Sequence, residues 1–132
     1  MRVLVIDDDD IARELLSSTL EDAGHDVYEL PSAIGATRHI FQHAIEAVVL
    51  DVMMPDIDGD KLARVLRQNS KGKSLAIVLV SSRPLDELRT LAVSAQADVL
   101  VPKSNIRAQL GEAVTRACQA RGGGASARQG QG

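Results

Sequence analysis

The sequence has few aromatic residues, one cysteine and no tryptophan. Because only 2% of its residues are aromatic, we expect a core of Leu, Val, Ile and Ala, with Tyr28 and Phe41 as its only rings. The single cysteine, Cys118, cannot form an internal disulfide, which favours a reducing compartment. A disulfide-stabilised secreted domain is therefore excluded as the basis of the fold.

Long apolar runs and an excess of basic residues are also absent. No run approaches the roughly 18 apolar residues that a membrane span needs, and Met1-Arg2 leads directly into an apolar run, without room for a signal peptide. The net charge of −3 comes from 15 basic and 18 acidic residues, so no basic surface for nucleic acid is indicated. We expect one cytoplasmic domain that has no membrane span and does not bind nucleic acid directly.

The positive signal is a set of short apolar runs that each end at a residue capable of chemistry. The central run, 47–50, leads into Asp51. Such runs are typical of strands buried on both faces of a parallel sheet, whose carboxyl ends share one edge. The sequence therefore predicts three carboxylates, a hydroxyl and an ammonium at one edge of a sheet. The other runs, each given with the polar or turn residues that follow it, are 2–6 with Asp7 and Asp8, 75–80 with Ser81, and 99–101 with Pro102 and Lys103.

Helical patterns separate these runs and one further strand at about 25–30. Five strands alternating with five helices predict an α/β protein with a doubly wound parallel sheet. Asp9 or Asp10 is the expected N-cap of the first helix, and Gly24 its stop. A domain of residues 1–121 would then precede a flexible Gly-rich tail at 122–132. The predicted helices are about 11–23, 31–44, 59–69, 84–95 and 106–120, and the apolar residues expected inward on the first two include Ile11, Leu15, Leu16, Ile34, Ile40, Phe41 and Ala44.

Carboxylates held this close must share a proton or bind a cation. A site with oxygen ligands only and access to water suits Mg²⁺, which keeps several of its own waters.

Two other patterns have simpler readings. His39 and His43 lie four apart, as zinc ligands can, but a solvated helix face is favoured. Residues 56–59 resemble part of a calcium loop, but a turn and helix start is favoured because the full ligand pattern is missing.

Taken together, the polar residues resemble those of the receiver domain of two-component response regulators, over about residues 1–120. The resemblance is carried by the acidic pair after the first strand, by D-x-x-M-P-x-x-D-G from Asp51 to Gly59, by Ser81 and by Lys103. It implies a flavodoxin-like fold, with a five-stranded parallel sheet in the order 2-1-3-4-5 flanked by five helices. It also implies a stand-alone, chemotaxis-type switch rather than a conventional enzyme.

The resemblance further implies roles for individual residues. Asp51 would accept a phosphoryl group, and Ser81 and Lys103 would contact that group. Mg²⁺ would be held by Asp8, Asp51 and the backbone carbonyl of Met53, with Asp7 acting through water. The expected partners are a sensor histidine kinase or phosphotransfer protein and a downstream protein target, with the chain acting as a monomer or weak dimer.

Two departures from the family pattern affect how a signal would leave the domain. Ser104 follows Lys103 where the family usually has proline, and Leu100 stands where an aromatic residue usually moves with the Ser or Thr hydroxyl. An aromatic switch is therefore not expected. Met53 and Arg83 lie two residues after Asp51 and Ser81, where they could shield an acyl phosphate and lengthen its lifetime.

Three alternatives stay open at this point. The chain could be a degenerate receiver used as a constitutive binding or dimerisation module, which the intact polar set disfavours. It could be the receiver part of a longer regulator. It could also be an enzyme, but no glycine-rich phosphate loop follows the first strand, and the acidic residues there would repel phosphate unless a metal intervened.

Overall fold

Five parallel strands form one sheet in the order β2-β1-β3-β4-β5, which confirms the predicted fold. The computed structural model describes residues 1–51, 75–81 and 98–120. Within them no helix is long and apolar enough to cross a membrane. The strands are β1 (Arg2–Ile6), β2 (Asp26–Leu30), β3 (Ala47–Asp51), β4 (Ala76–Ser81) and β5 (Val99–Pro102), and the helices are α1 (Asp10–Asp22), α2 (Ala36–Gln42), a 3₁₀ turn (Lys103–Asn105) and α3 (Ile106–Cys118).

Three of the five predicted α-helices fall within the described residues. The helices predicted at about 59–69 and 84–95 lie outside them, as does the tail predicted at 122–132. The predicted domain boundary at residue 121 is therefore not tested.

Both faces of the sheet are buried: successive strand residues point to opposite sides, and every residue of β3 and β4 is buried. The valine-rich side faces α1 and α3, and the side rich in Leu and Ile faces α2. Each fully buried Val, Leu or Ile side chain contributes roughly 1.5–3 kcal/mol of transfer free energy. The first side includes Val3, Val5, Val49, Val78 and Val80 with Leu16, Leu20, Leu110 and Val114, and the second includes Leu4, Ile6, Val48, Leu50, Ile77 and Leu79 with Ala36 and Ile40.

The ends of α1 match the sequence signals. The side chain of Asp9 accepts a hydrogen bond of 2.8 Å from the backbone N–H of Ala12, so Asp9 is the N-cap. Beyond the C-cap residue Ala23, Gly24 has a φ of 92°, a left-handed conformation that favours glycine.

Several residues predicted to face inward are exposed. Ile11 is 79% exposed, Ile34 84% and Phe41 56%. The buried face of α1 is Leu16, Ser17 and Leu20, which places Ile11 on its outer side. Helix α2 has only seven residues and begins after Gly35, so Ile34 precedes it and cannot share its inner face.

The expectation for Ala44 is also wrong. Ala44 is exposed and has a φ of 51°, so the chain turns sharply there and Ile45 enters the core instead. Because Phe41 is exposed, Tyr28 is the only Phe, Tyr or Trp side chain that packs against the core, and it is only partly buried. The core is therefore almost entirely aliphatic.

Helices α1 and α3 approach each other closely at Gly111. A Cβ atom added to Gly111 would lie 2.7 Å from the Cβ of Ala23, closer than side-chain carbons can approach. The glycine in the middle of α3 has a packing reason, which offsets its low helix propensity.

Candidate functional site

The strand alternation delivers side chains to one corner of the sheet. Val5 and Val49 lie on the side that faces α1 and α3, and Asp7 and Asp51 follow them two residues later. Val101 of β5 lies on the same side, and Lys103 follows it by two. Since side chains two apart share a face of a strand, all three polar residues continue the valine-rich side at the carboxyl ends of their strands.

Lys103 crosses an intervening strand to reach the carboxylates. Its Nζ donates a hydrogen bond of 3.0 Å to Oδ2 of Asp51. The same ammonium lies 3.6 Å from Oδ2 of Asp7, an ion pair beyond hydrogen-bonding distance. Strand β4 lies between β5 and β3. The lysine therefore spans roughly two strand spacings of about 4.8 Å each.

The carboxylate of Asp7 is fully buried. Its Oδ1 accepts a hydrogen bond of 2.9 Å from the N–H of Asp9, but its Oδ2 has no hydrogen-bond partner among the described residues. Burial raises the pKa of Asp7; the bond from Asp9 opposes this effect and the charge of Asp51 adds to it. Asp7 is thus a buried acid with an unsatisfied oxygen beside a second acid.

The pKa of Lys103 is raised. Burial alone would lower it, but the hydrogen bond to Asp51 and the charges of Asp51 and Asp7 outweigh the burial. The lysine is therefore held in its charged form, as the only cationic side chain that the described residues place in contact with these two carboxylates.

Asp8 joins the two buried acids. One carboxylate oxygen from each of Asp7, Asp8 and Asp51 lies within 4.8 Å of the others, and Asp8 is exposed while the other two are buried. Two oxygens on opposite sides of one Mg²⁺ are separated by about 4 Å, so this spacing is close to that of a shared ion. The all-oxygen donor set and the unsatisfied Oδ2 of Asp7 also fit Mg²⁺.

Of the three remaining residues predicted near the site, Ser81 lies within the described part of the chain. Ser81 is fully buried at the end of β4, in register with Pro102 and one residue beyond the pair of Asp51 and Val80. It lies at the same edge of the sheet as the acids. Met53, whose carbonyl is a predicted ligand, and Arg83 lie outside the described residues.

Arg13 lies beside this site and was missed from the sequence. It donates a hydrogen bond of 2.8 Å to the backbone carbonyl of Asp7. Its spacing to Asp10 indicates a pair on the helix surface, but no local pattern marks a contact with the end of β1. Only the folded arrangement of β1, β2 and α1 shows this link.

The two histidines of α2 and its C-cap take part in a ring stack instead of a recognisable metal site. The rings of Tyr28 and His43 lie 4.3 Å apart and nearly parallel, and His39 is tilted beside His43. Within residues 1–51, 75–81 and 98–120, the three aspartates are the only group of three side chains placed to hold a metal ion.

The fold and the site together define a doubly wound α/β protein with a candidate cation site at the carboxyl edge of its parallel sheet. A family model, the response regulator receiver domain, matches residues 3–115. The chain belongs to this family, which functions in two-component signalling and whose members are signalling proteins that bind histidine kinases and downstream effectors.

Individual relatives agree with this assignment. The chain is 38% identical over 103 residues to the response regulator MprA of Mycobacterium sp. (strain KMS), a match that covers 78% of the chain and 44% of the relative. The chain therefore spans less than half the length of that relative. A sensor protein from Polaromonas sp. JS666 is 33% identical, with a TM-score of 0.79 over 90% of this chain and 96% of that one.

A second similar structure is the BeF3-activated N-terminal receiver domain of RstA from Klebsiella pneumoniae. It is 26% identical, with a TM-score of 0.78 over 90% of this chain and 99% of that one. The match therefore covers almost the whole of that receiver domain.

Proposed function

We propose that the chain is a phosphoacceptor switch that receives a phosphoryl group on Asp51 from a histidine kinase, a phosphotransfer protein or a small phosphodonor. The proposal rests above all on one observation: Lys103 reaches across β4 to lie 3.0 Å from Asp51 and 3.6 Å from Asp7. A lysine that crosses a strand to reach buried acids is poorly explained as a surface charge, since exposed ion pairs contribute little stability.

In the transfer, one carboxylate oxygen of Asp51 attacks the phosphorus of the donor. The bond from phosphorus to the histidine nitrogen breaks, and the imidazole leaves with the electron pair. The product is an acyl phosphate on Asp51. Phosphoryl transfer of this kind depends on positioning and on neutralising charge more than on covalent chemistry by the protein.

Lys103 supplies part of that neutralisation. Before transfer its ammonium pairs with Oδ2 of Asp51, and afterwards it pairs with a phosphoryl oxygen. The hydroxyl of Ser81 donates to another phosphoryl oxygen. Hydrolysis of the acyl phosphate by water then returns Asp51 to its starting form.

Asp8 and Asp51, together with the carbonyl of Met53, are the proposed ligands of Mg²⁺. Bound there, the ion supplies positive charge that offsets repulsion between the carboxylates and the incoming phosphoryl group. In keeping with the family resemblance, Asp7 would act through water.

The proposal is tested by incubating the chain with Mg²⁺ and acetyl phosphate, followed by mass spectrometry. We expect a gain of one phosphoryl group in the wild type and none in Asp51→Asn. Asp26→Asn, which changes an exposed carboxylate on β2, is the matched control and should react like the wild type.

Absence of any phosphoryl gain, both with acetyl phosphate and with histidine kinases of the source organism, would contradict the proposal. That result would favour a constitutive binding module. Profiling the wild type and Asp51→Asn against those kinases would also identify the partner that supplies the phosphoryl group.

A further inference from the structure

Arg13 joins three separate parts of the fold through one guanidinium group. Its Nη1 donates a hydrogen bond of 2.8 Å to the backbone carbonyl of Asp7 at the end of β1. Its Nη2 lies 2.6 Å from Oδ1 of Asp10 in α1, and its Nε lies 3.3 Å from Oε1 of Glu29 in β2. The planar fork of arginine suits such a set of acceptors, which a lysine could not satisfy together.

The peptide unit at Asp7 is fixed from several sides. Its N–H donates a bond of 3.2 Å to the carbonyl of Leu30, and its carbonyl accepts the bond from Arg13. Its side chain accepts the N–H of Asp9. The directions in which Asp7 and Asp8 leave the backbone are therefore set by these bonds. Among the described residues, Arg13 supplies the one bond to this backbone that comes from a side chain outside residues 7–9.

The charge of Arg13 is already compensated. Its side chain is only 16% exposed, whereas those of Asp10 and Glu29 are 87% and 46% exposed. Exposed ion pairs of this kind contribute little to stability. They neutralise the guanidinium, so its contact with the Asp7 carbonyl can act through geometry without a net positive charge beside the acidic site.

We propose that Arg13 is a positioning residue for the cation site, holding the Asp7–Asp8 segment so that both carboxylates face Asp51. The inference rests on the proposed function, because it assumes that the three acids bind Mg²⁺. Groups that orient metal ligands in this way typically change metal affinity by about 10- to 100-fold when they are removed.

The test measures binding of Mg²⁺ alone by isothermal titration calorimetry in wild type, Arg13→Met and Arg116→Met. Arg116 is the matched control, since it forms an ion pair with Glu112 on the surface of α3, away from the acids. We expect the dissociation constant of Arg13→Met to rise by about 10-fold and that of Arg116→Met to stay unchanged.

The sign of the change separates positioning from two other roles. If Arg13 acted mainly as a positive charge, its removal would tighten binding of Mg²⁺, and if it only stabilised the fold, affinity would not change. Either result would overturn the inference. A wild-type chain that binds no Mg²⁺ would overturn the proposed function as well, so the two failures are distinguishable.

A second variant covers the case in which Arg13→Met folds poorly. Arg13→Lys keeps the charge but cannot bond all three acceptors, so we again expect weaker Mg²⁺ binding. In the metal-free protein, amide hydrogen exchange at Asp9 should also be faster in both variants, because its bond to Asp7 loses support. Unchanged affinity and exchange in Arg13→Lys would overturn the inference.

Discussion

At Asp7, burial and charge oppose each other. Its carboxylate is fully buried, its Oδ2 has no hydrogen-bond partner among the described residues, and burial raises its pKa. The ammonium of Lys103, 3.6 Å from this oxygen, is shared with Asp51 and compensates only part of the two charges, so the buried carboxylate costs folding free energy in the absence of a further cation. Asp7 is therefore expected to lower the unfolding free energy of the metal-free protein.

Asp7→Asn should accordingly stabilise the protein in EDTA, by about 1–3 kcal/mol. The substitution removes the buried charge next to Asp51 and keeps a similar shape. Urea unfolding with Asp26→Asn as the control measures the effect. Added Mg²⁺ should then stabilise the wild type more than Asp7→Asn, and a less stable variant in EDTA would contradict this account.

The buried thiol of Cys118 makes the unfolding free energy depend on pH. Burial, with a smaller contribution from the charge of Glu46, raises the pKa of its thiol from 9.0 to about 11. The folded state therefore favours the neutral thiol. This contribution is fully present below the unfolded pKa and is lost as the pH rises from about 9 towards 11.

As the pH rises across that range, we expect the wild type to lose up to about 2–3 kcal/mol of unfolding free energy relative to Cys118→Ala. Urea unfolding at several pH values between 8 and 11 measures it, and other titrating groups cancel in the comparison. A difference that stays constant with pH would refute the prediction.

Among the structural elements, the contact between α1 and α3 depends on a single missing side chain. Gly111→Ala should improve helix propensity by about 1 kcal/mol, but the new Cβ would lie 2.7 Å from that of Ala23. Overpacking of this kind typically costs 1–3 kcal/mol. We therefore expect a net loss of stability.

The double variant Ala23→Gly/Gly111→Ala provides the control, since it removes the atom that the new Cβ would meet. Thermal or urea unfolding of all four proteins in a double-mutant cycle should show a favourable coupling between the two changes. Additive effects would show that the close approach does not limit the packing of these helices.

The strands were predictable from the sequence, and the helix faces were less so. Strand boundaries such as Ala47–Asp51 agree within about a residue, because a strand buried on both faces is a continuous apolar run. For α2, seven residues are too few to define an apolar stripe. Ile34 and Phe41 were therefore assigned inward although they are exposed.

At the scale of the whole molecule, the site combines residues far apart in the chain. Asp7, Asp51 and Lys103 come from three strand ends that only the order of the sheet brings together. The types of residue at the strand ends predicted their meeting at one edge. The link through Arg13 could not be predicted, because it depends on the relative placement of β1, β2 and α1.

Ligand binding at this site should stabilise the entire fold, since it involves several strands at once. At a ligand concentration of 100 Kd, Mg²⁺ with beryllofluoride should increase the unfolding free energy of the wild type by about 2.7 kcal/mol. The unfolding midpoint should then rise by several degrees. Asp51→Asn should lose most of that gain, and Lys103→Met a part of it. Differential scanning fluorimetry measures the shift; an equal shift in Asp51→Asn would place the binding elsewhere.

Lys103 is also the first residue of the 3₁₀ turn that runs directly into α3 at Ile106. The residue whose ammonium bonds to Asp51 is therefore connected without a loop to α3, whose Leu110 and Val114 pack on the sheet. If Asp51 is phosphorylated as proposed, a movement of the Lys103 ammonium towards a phosphoryl oxygen would directly displace the first turn of that helix. Such a displacement would give the proposed switch an output that does not require an aromatic residue at the position of Leu100.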